Sequence, residues 1–472
     1  LIIGLGSFAA QLGAAVHALL SKRDARAATA WIGLILLVPL VGWIIYYFFG
    51  INRIERRAQT LRAGYDGGEA MYLLPESVLT EAGGSQHAGR HLQRFSKQGL
   101  AVSPIPYTRG NRLMLLKNGD EAYPAMIAAI EKAEHTVALC TYIFNHDKAG
   151  KAFLEALAAA RARGVKVRVL IDGVGSHYSV PSMIHFLRQK GIPCERFLHS
   201  FLPWQMPYLN LRNHQKILVV DGKTGFTGSM NIAEGNLTRD NPAHPILDRH
   251  FQIGGPLVSQ LMTTFAQEWR FATDEILTGS KWFPDLEEEG EVIARGVPAG
   301  PDQPRNPLRW LLLGAISQAE ESIRIITPYF LPDTTLQAVL SVAAMRGVQV
   351  DIVLPENNNL FYMQWAMTPQ FDELIDAGCR VHMTPGPFDH TKLMVVDGMW
   401  SFVGSANWDA RSLRLNFEFN VEAFSRSFAA EIAAEADARI AKAWQLEISH
   451  LQARPTLFKV RDNLVRLFSP YL

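Results

Sequence analysis

Two stretches of this chain carry the same chemically versatile residues at the same intervals. NHQKILVVDGKTGFTGSMN holds His214, Lys216, Asp221, Gly228, Ser229 and Asn231, and DHTKLMVVDGMWSFVGSAN holds His390, Lys392, Asp397, Gly404, Ser405 and Asn407. In both, Lys follows His by two positions, Asp follows Lys by five, Gly follows Asp by seven and Asn follows Ser by two. One H-x-K-x-x-x-x-D arises easily by chance and one strand His is as often a packed core residue; six matched positions occurring twice are neither. Two such sets around one anion provide for phosphodiester exchange without a metal. The lysines hold the non-bridging oxygens, hydroxyl and amide donors complete the cradle, one imidazole attacks phosphorus and the other protonates the departing alkoxide. Imidazole suits both tasks because its unperturbed pKa is about 6.5.

These residues must be displayed together. In extended chain, residues two apart face the same side, so His and Lys of each motif look into one cleft, and after an Asp-Gly turn a second short strand delivers Ser and Asn in the same way. The surrounding pattern also repeats. A helix (AYPAMIAAIEKAEH), a strand (TVALCTYIF), a helix (FLEALAAARARG) and a strand (VKVRVLIDG) precede the first motif, and LLLGAISQAEE, SIRIITPYFL, TLQAVLSVAAMRG and VQVDIVLP precede the second. This alternation predicts two α/β units with largely parallel sheets. Gly164 and Gly347 fall where each second helix must stop before its strand, a structural position.

The 46 basic and 45 acidic side chains leave a net charge of +1, which argues against a polyanion such as nucleic acid as partner. Cys140, Cys194 and Cys379 are far apart and set in apolar runs, as buried reduced thiols would be, and no Cys/His cluster has zinc spacing, so no cofactor is expected. The apolar surplus is concentrated at the N-terminus. Ala27 to Gly50 is 24 residues without a charge, about 36 Å as a helix, enough for a hydrocarbon core of roughly 30 Å. Leu1 to Leu20 is a softer second run, and the pair predicts a transmembrane hairpin over residues 1–62. Its aromatic end and lack of a small-residue cleavage pattern argue against a signal peptide. Basic residues flank both ends of the second run, so the positive-inside count favours a cytoplasmic body only slightly. Residues 63–109 read as a connector rich in glycine, followed by units at 110–290 and 291–472.

The paired motifs resemble the HKD motifs of the phospholipase D superfamily from about residue 110 onward. More narrowly, the N-terminal hairpin and the runs LRNHQKILVVDG, RSLRLNFEFN and RLFSPYL resemble the bacterial cardiolipin synthases. The resemblance implies two pseudo-symmetric phospholipase D-like α/β units with mixed, largely parallel sheets behind a membrane hairpin, in a multi-pass protein of the bacterial cell membrane. It implies an enzyme that joins two phosphatidylglycerols through a phosphohistidine and releases glycerol. Transferred residue by residue, it makes His214 and His390 nucleophile and general acid/base, with His214 favoured as nucleophile, and makes Lys216, Lys392, Ser229, Ser405, Asn231 and Asn407 phosphate binders. Asp221 and Asp397 belong to the catalytic motif, but in a more structural than chemical capacity. Glu418, eleven residues after Asn407, matches the carboxylate that orients an imidazole and is assigned to His390; in the first unit Asp248 lies seventeen residues after Asn231. Partners implied are phosphatidylglycerol, other phospholipids and the bilayer, and a homo-oligomer is allowed but not required.

Three further stretches are rich in apolar residues or in alternating charge. SFLPWQMPYLNLRN reads equally as an interfacial flap or a buried loop, NNNLFYMQWAMTP as helix core in preference to an acyl groove, and Phe428 to about His450 as a solvated amphipathic helix. Rival functions are hydrolysis of phospholipid or nucleic acid by the same histidines, and a non-catalytic membrane scaffold, which two complete motifs disfavour.

Overall fold

The computed structural model describes residues 2–22, 25–50, 78–79, 90–103, 105–198, 211–301 and 306–469. The chain divides into two compact units, Leu1–Leu61 and Arg62–Leu472. Most of the expected connector, and the aromatic segment before His214 up to residue 210, lie outside the described residues.

In the first unit, α1 (Ile2–Ser21) packs on α2 (Ala25–Leu37), burying Ala18, Ile35 and Tyr46. The expected span over Ala27–Gly50 is not one helix. α2 ends at Leu37, a turn carries Pro39 and Leu40, the latter at φ 73°, and α3 (Gly42–Ile45) and a π-turn at Tyr46–Gly50 follow. Proline has no amide hydrogen and its ring collides with the preceding turn, so a helix ends near it. No helix among the described residues is long and apolar enough to cross a membrane. In place of the expected transmembrane hairpin, the described residues form one continuous helix packed on a second that is broken after Leu37.

The second unit begins with β1 (Val78–Leu79) and α4 (Arg90–Val102), then two halves built to one plan. The first contains β2 (Tyr107–Lys117), α5 (Asn118–Lys132), β3 (Thr136–Thr141), α6 (Lys148–Ala162), β4 (Lys166–Asp172), α7 (Met183–Gln189) and β5 (Cys194–Phe197). The hairpin β6 (Ile217–Val220) and β7 (Thr224–Gly228), then β8 (Ile246–Leu247), β9 (Arg249–Gly254) and α8 (Leu257–Thr273), complete it. The second half repeats the order: β10 (Val292–Ala299), α9 (Pro307–Gln318), β11 (Ser322–Ile326), α10 (Thr334–Met345), β12 (Gln349–Pro355), α11 (Phe361–Met367), α12 (Phe371–Asp376) and β13 (Arg380–Thr384). It continues with β14 (Phe388–Asp389), β15 (Leu393–Val396), β16 (Trp400–Gly404), α13 (Ala410–Arg414), β17 (Glu418–Phe424) and α14 (Arg426–Ile440). β18 (Trp444–Leu446), α15 (Ile448–Gln452) and α16 (Thr456–Arg466) follow.

The long helices start and stop where their sequence dictates. Asp147 and Asp333 cap α6 and α10 by accepting amide hydrogens of the first turn. Gly164 and Gly347 end the same helices at φ 92° and 93°, a left-handed conformation that glycine adopts without strain.

One main sheet runs through both halves in the order β18-β13-β12-β11-β15-β16-β17-β10-β2-β9-β7-β6-β3-β4-β5. Only β3–β4–β5 and β11–β12–β13 pair in parallel; the other neighbours are antiparallel. The sheet is mixed, as expected from the sequence, but mainly antiparallel in place of the expected largely parallel order. Helix–strand alternation holds for the first strands of each half, and then the motif hairpins β6–β7 and β15–β16 take over, as two strands joined by a tight turn must run antiparallel. The halves join where β2 pairs with β10, and beneath that seam Arg295 Nε and Tyr107 Oη donate to the buried Glu422 carboxylate at 2.7 and 2.9 Å.

Two other expectations give way. α4, part of the supposed tether, seats a fully buried Phe95 edge-on to Trp400 at 5.3 Å, so it belongs to the body. The terminal helix ends at Ile440 and buries Glu435 and Arg439 as well as its apolar face, so it is not simply solvated. All three cysteines are buried.

Candidate active site

Each motif histidine sits in extended chain just before its hairpin and is held by the opposite half. Asn213 bridges Phe417, and His214 N donates to Phe417 O at 2.8 Å. Correspondingly β14 pairs in parallel with β8, and His390 N donates to Leu247 O at 2.8 Å. Phe417 and Leu247 are each followed by a carboxylate, which this pairing carries to the other half's imidazole.

The carboxylates accordingly cross over. Glu418 meets His214 Nδ1 at 3.0 Å, and Asp248 meets His390 Nδ1 at 2.9 Å. The expected assignment of Glu418 to His390 is corrected: each half orients the other's histidine. Asp248 and Glu418 hold equivalent places, since Ser229 N donates to Arg249 O and Ser405 N to Phe419 O. The longer interval in the first half is taken up by short 3₁₀ turns at Glu234–Asn236 and Thr238–Asp240 and by β8. A carboxylate accepting from Nδ1–H leaves Nε2 for chemistry.

Lys216 and Lys392 are almost fully buried and each donates Nζ to the carbonyl of its own histidine at 2.7 Å; Lys392 Nζ also lies 3.0 Å from His390 Nε2. Burial lowers Lys216 to about 7 and Lys392 to about 8, and the charge of Lys392 lowers Lys216 further. Burial also pulls both imidazoles down, His214 well below its usual value, reinforced there by the charges of Lys216, Lys392 and His390. The four groups thus share one field, which an anion between them would relieve. The carboxylates differ. Burial raises Glu418 to about 7, whereas for Asp248 burial is outweighed by His390, Lys392 and Ser229, which hold it at about 2.

The remaining motif residues are built in more deeply than expected. Ser405 Oγ donates to Glu418 at 2.5 Å and accepts Phe419 N at 3.0 Å, and Ser229 Oγ donates to Asp248. A hydroxyl has one proton, and in this arrangement both serines give it to a carboxylate. Asn231 Oδ1 accepts Ile143 N at 3.2 Å, while Asn407 lies beside Lys392 and Trp408 around a small cavity. Asp221 gathers the amides of Glu134, His135 and Thr136, and Asp397 those of Glu320, Glu321 and Ser322, at 2.7–2.9 Å. Both stand at the far end of β6 or β15 from the imidazoles and tie the hairpins to the sheet, in keeping with the more structural part expected of them. Gly228 and Gly404 are needed because a Cβ there would lie within 2.8 Å of the adjoining strand's backbone, at φ 151° and 156°.

Several residues here have no counterpart in the motif. Tyr142, just past β3, lies edge-on to His214 at 5.0 Å and under Lys216 Nζ at 5.5 Å. Its place at the carboxyl end of a parallel strand is the signal that would have found it. Asp172, at the end of β4, accepts Asn213 N at 2.7 Å. Behind His390, Asp389 binds Arg439, which binds Glu435, which binds Arg249, at 2.6–2.8 Å. Pairs this far apart in sequence leave no local trace.

The duplicated sheet, with one H-x-K motif from each half at a common centre, defines an enzyme of the phospholipase D type. A family model described as cardiolipin synthase, PLD-like domain, matches residues 126–269 and 312–444, more than half of the chain, and the phospholipase D-nuclease N-terminal model matches residues 9–50. Cardiolipin synthase A of Pseudomonas putida (strain GB-1) is 32% identical over 465 residues, 97% of this chain and 95% of that protein. Cardiolipin synthase of Geobacillus kaustophilus (strain HTA426) is 30% identical over 455 residues, 96% of this chain and 90% of that protein. In fold, the chain is similar to the crystal structure of phosphatidylserine synthase from Haemophilus influenzae Rd KW20, with a TM-score of 0.62 at 14% identity, over 80% of this chain and 100% of that one. The chain belongs to the cardiolipin synthase family.

Proposed function

We propose that the protein transfers a phosphatidyl group from one phosphatidylglycerol to the hydroxyl of another, making cardiolipin and releasing glycerol. The observation that carries this is two imidazoles from different halves, each oriented by a buried carboxylate, sharing one field with two buried lysines. His214 Nε2 attacks phosphorus, the P–N bond forms, the P–O bond to glycerol breaks, and the departing oxygen takes the proton of His390. The second lipid's hydroxyl then gives its proton to His390 and attacks phosphorus, and the P–N bond breaks. Burial and both lysines favour an unprotonated His214, as a nucleophile requires, while the ionised Asp248 helps His390 hold a proton. Lys216 and Lys392 offset the charge of the phosphoryl oxygens, with no metal in the scheme. Among the described residues no group of three His, Cys, Asp or Glu is placed to hold one. The N-terminal unit anchors the protein at the cell membrane with the catalytic body on the cytoplasmic side.

Purified protein given phosphatidylglycerol in detergent micelles tests the reading. Cardiolipin and glycerol in equal amounts are expected; phosphatidic acid without cardiolipin would make the protein a hydrolase.

A further inference from the structure

α16 is exposed along an apolar stripe that nothing among the described residues of the second unit covers. Leu457, Val460, Leu464, Leu467 and Phe468 are 74, 59, 58, 73 and 57% exposed, and their spacing of three and four places them on one side of the helix. The opposite side pins the helix down. Asp462, 1% exposed, binds Arg454 and Arg461; Arg461 lies over the Trp365 ring of α11 at 4.0 Å; Val465 packs on the second-half core. Asp462, the sole carboxylate of this helix, is buried and engaged by Arg454 and Arg461, so Lys459 and Arg466 leave the helix surface positively charged.

The stripe continues toward the active site. α11 carries Phe361, 62% exposed, and next to it Tyr362, which stands in the electrostatic field of Arg411 and of Tyr178 from the first half. Tyr178, 62% exposed, packs at 6.1 Å on Tyr142, which touches His214, and Val180 nearby is 93% exposed. Apolar groups from both halves therefore border the approach to the histidines. A soluble surface seldom carries so many large apolar side chains together, and basic residues flanking an amphipathic helix match an anionic lipid surface.

We propose that the α16 stripe, with Phe361 and Val180, docks on an anionic phospholipid bilayer and sets the active site against its headgroups. Immersion of about 5–10 Å is typical of such a helix. The inference rests on the proposed function only in taking bilayer lipid as the substrate; docking is read without turnover.

Because all three native cysteines are buried, Leu464→Cys in the full chain accepts an environment-sensitive fluorophore selectively. After reconstitution into phosphatidylcholine vesicles containing phosphatidylglycerol, its emission should shift to the blue and be quenched by nitroxides on the acyl chains. The same label at the exposed Lys151→Cys should show neither effect. No quenching at position 464, or equal quenching at both positions, overturns the proposal. So does disulfide cross-linking between two Leu464→Cys chains without lipid, which would assign the face to a second copy. As a second reading, Leu457→Ser, Val460→Ser and Leu464→Ser together should slow turnover of vesicle lipid roughly tenfold or more while sparing the same lipid in micelles. Equal loss in both forms would mean a folding defect and would count against docking. If the unaltered protein makes no cardiolipin from either form, the function fails while the fluorescence result stands.

Discussion

The two halves of the active site share a motif and differ in nearly everything around it. His214 is backed by Glu418, raised to about 7, and touched by Tyr142; His390 is backed by Asp248, held at about 2, and neighboured by Phe388, with ring centroids 6.1 Å apart. Behind His390 runs the ion chain Asp389–Arg439–Glu435–Arg249, whose two middle members lie on α14. The helix in the matching place of the first half, α8, buries Phe265 and Trp269, stacked at 6.1 Å. Duplication made two like imidazoles, and in the proposed mechanism their unequal surroundings let one serve as nucleophile and the other as acid.

The sharpest break of this comparison is to remove each imidazole. His214→Ala and His390→Ala should each lower cardiolipin formation by at least about 10³-fold. A phosphatidyl ester of p-nitrophenol, whose leaving group needs no acid, separates their roles: His390→Ala should regain a burst of p-nitrophenol and His214→Ala should not. A burst from His214→Ala alone would reverse the assignment. The carboxylates come next, at about 10²-fold or more each. Because they cross between halves, Asp248→Asn should behave like His390→Ala toward the activated ester, and Glu418→Gln like His214→Ala. The opposite pattern would mean each carboxylate serves its own half.

Glu435→Ala should leave the buried Arg249 without its carboxylate, take one of two from Arg439, and lower stability by about 3–5 kcal/mol, measurable as a shift in the denaturant midpoint. An unchanged midpoint would remove the ion chain as a difference between the halves. A smaller effect is expected from pH. A base whose pKa is lowered is protonated below that value and neutral above it, so Lys216 at about 7 and Lys392 at about 8 lose charge as pH rises through those values. KM for phosphatidylglycerol should therefore rise above about pH 8, and a KM that falls there would contradict lysine-held phosphate. The smallest effect is expected from EDTA, which should leave the rate unchanged; abolition would mean that the lysines do not suffice.

How much of this was legible varied with the range of the interaction. The motif intervals revealed the duplication and the composition of the centre, because a strand's two-residue period fixes which side chains share a face. Gly164 and Gly347 likewise marked true helix ends. The antiparallel majority of the sheet was not legible, since alternation of helix and strand describes only the first part of each half. Nor was the break at Pro39 read from a run judged on hydropathy. Phe95 was lost in a stretch whose glycines suggested a tether.

The sequence by itself determined that two His, two Lys and their supporting Ser, Asn and Asp exist in duplicate, and that their chemistry is phosphodiester exchange. Tertiary structure alone decided which carboxylate serves which histidine, that Ser229 and Ser405 support carboxylates, and that the two imidazoles are unequal. The reason is physical: hydrogen-bond direction depends on which chain segments pair across the halves, and a buried group's proton affinity on every charge packed around it. Neither is written in local spacing.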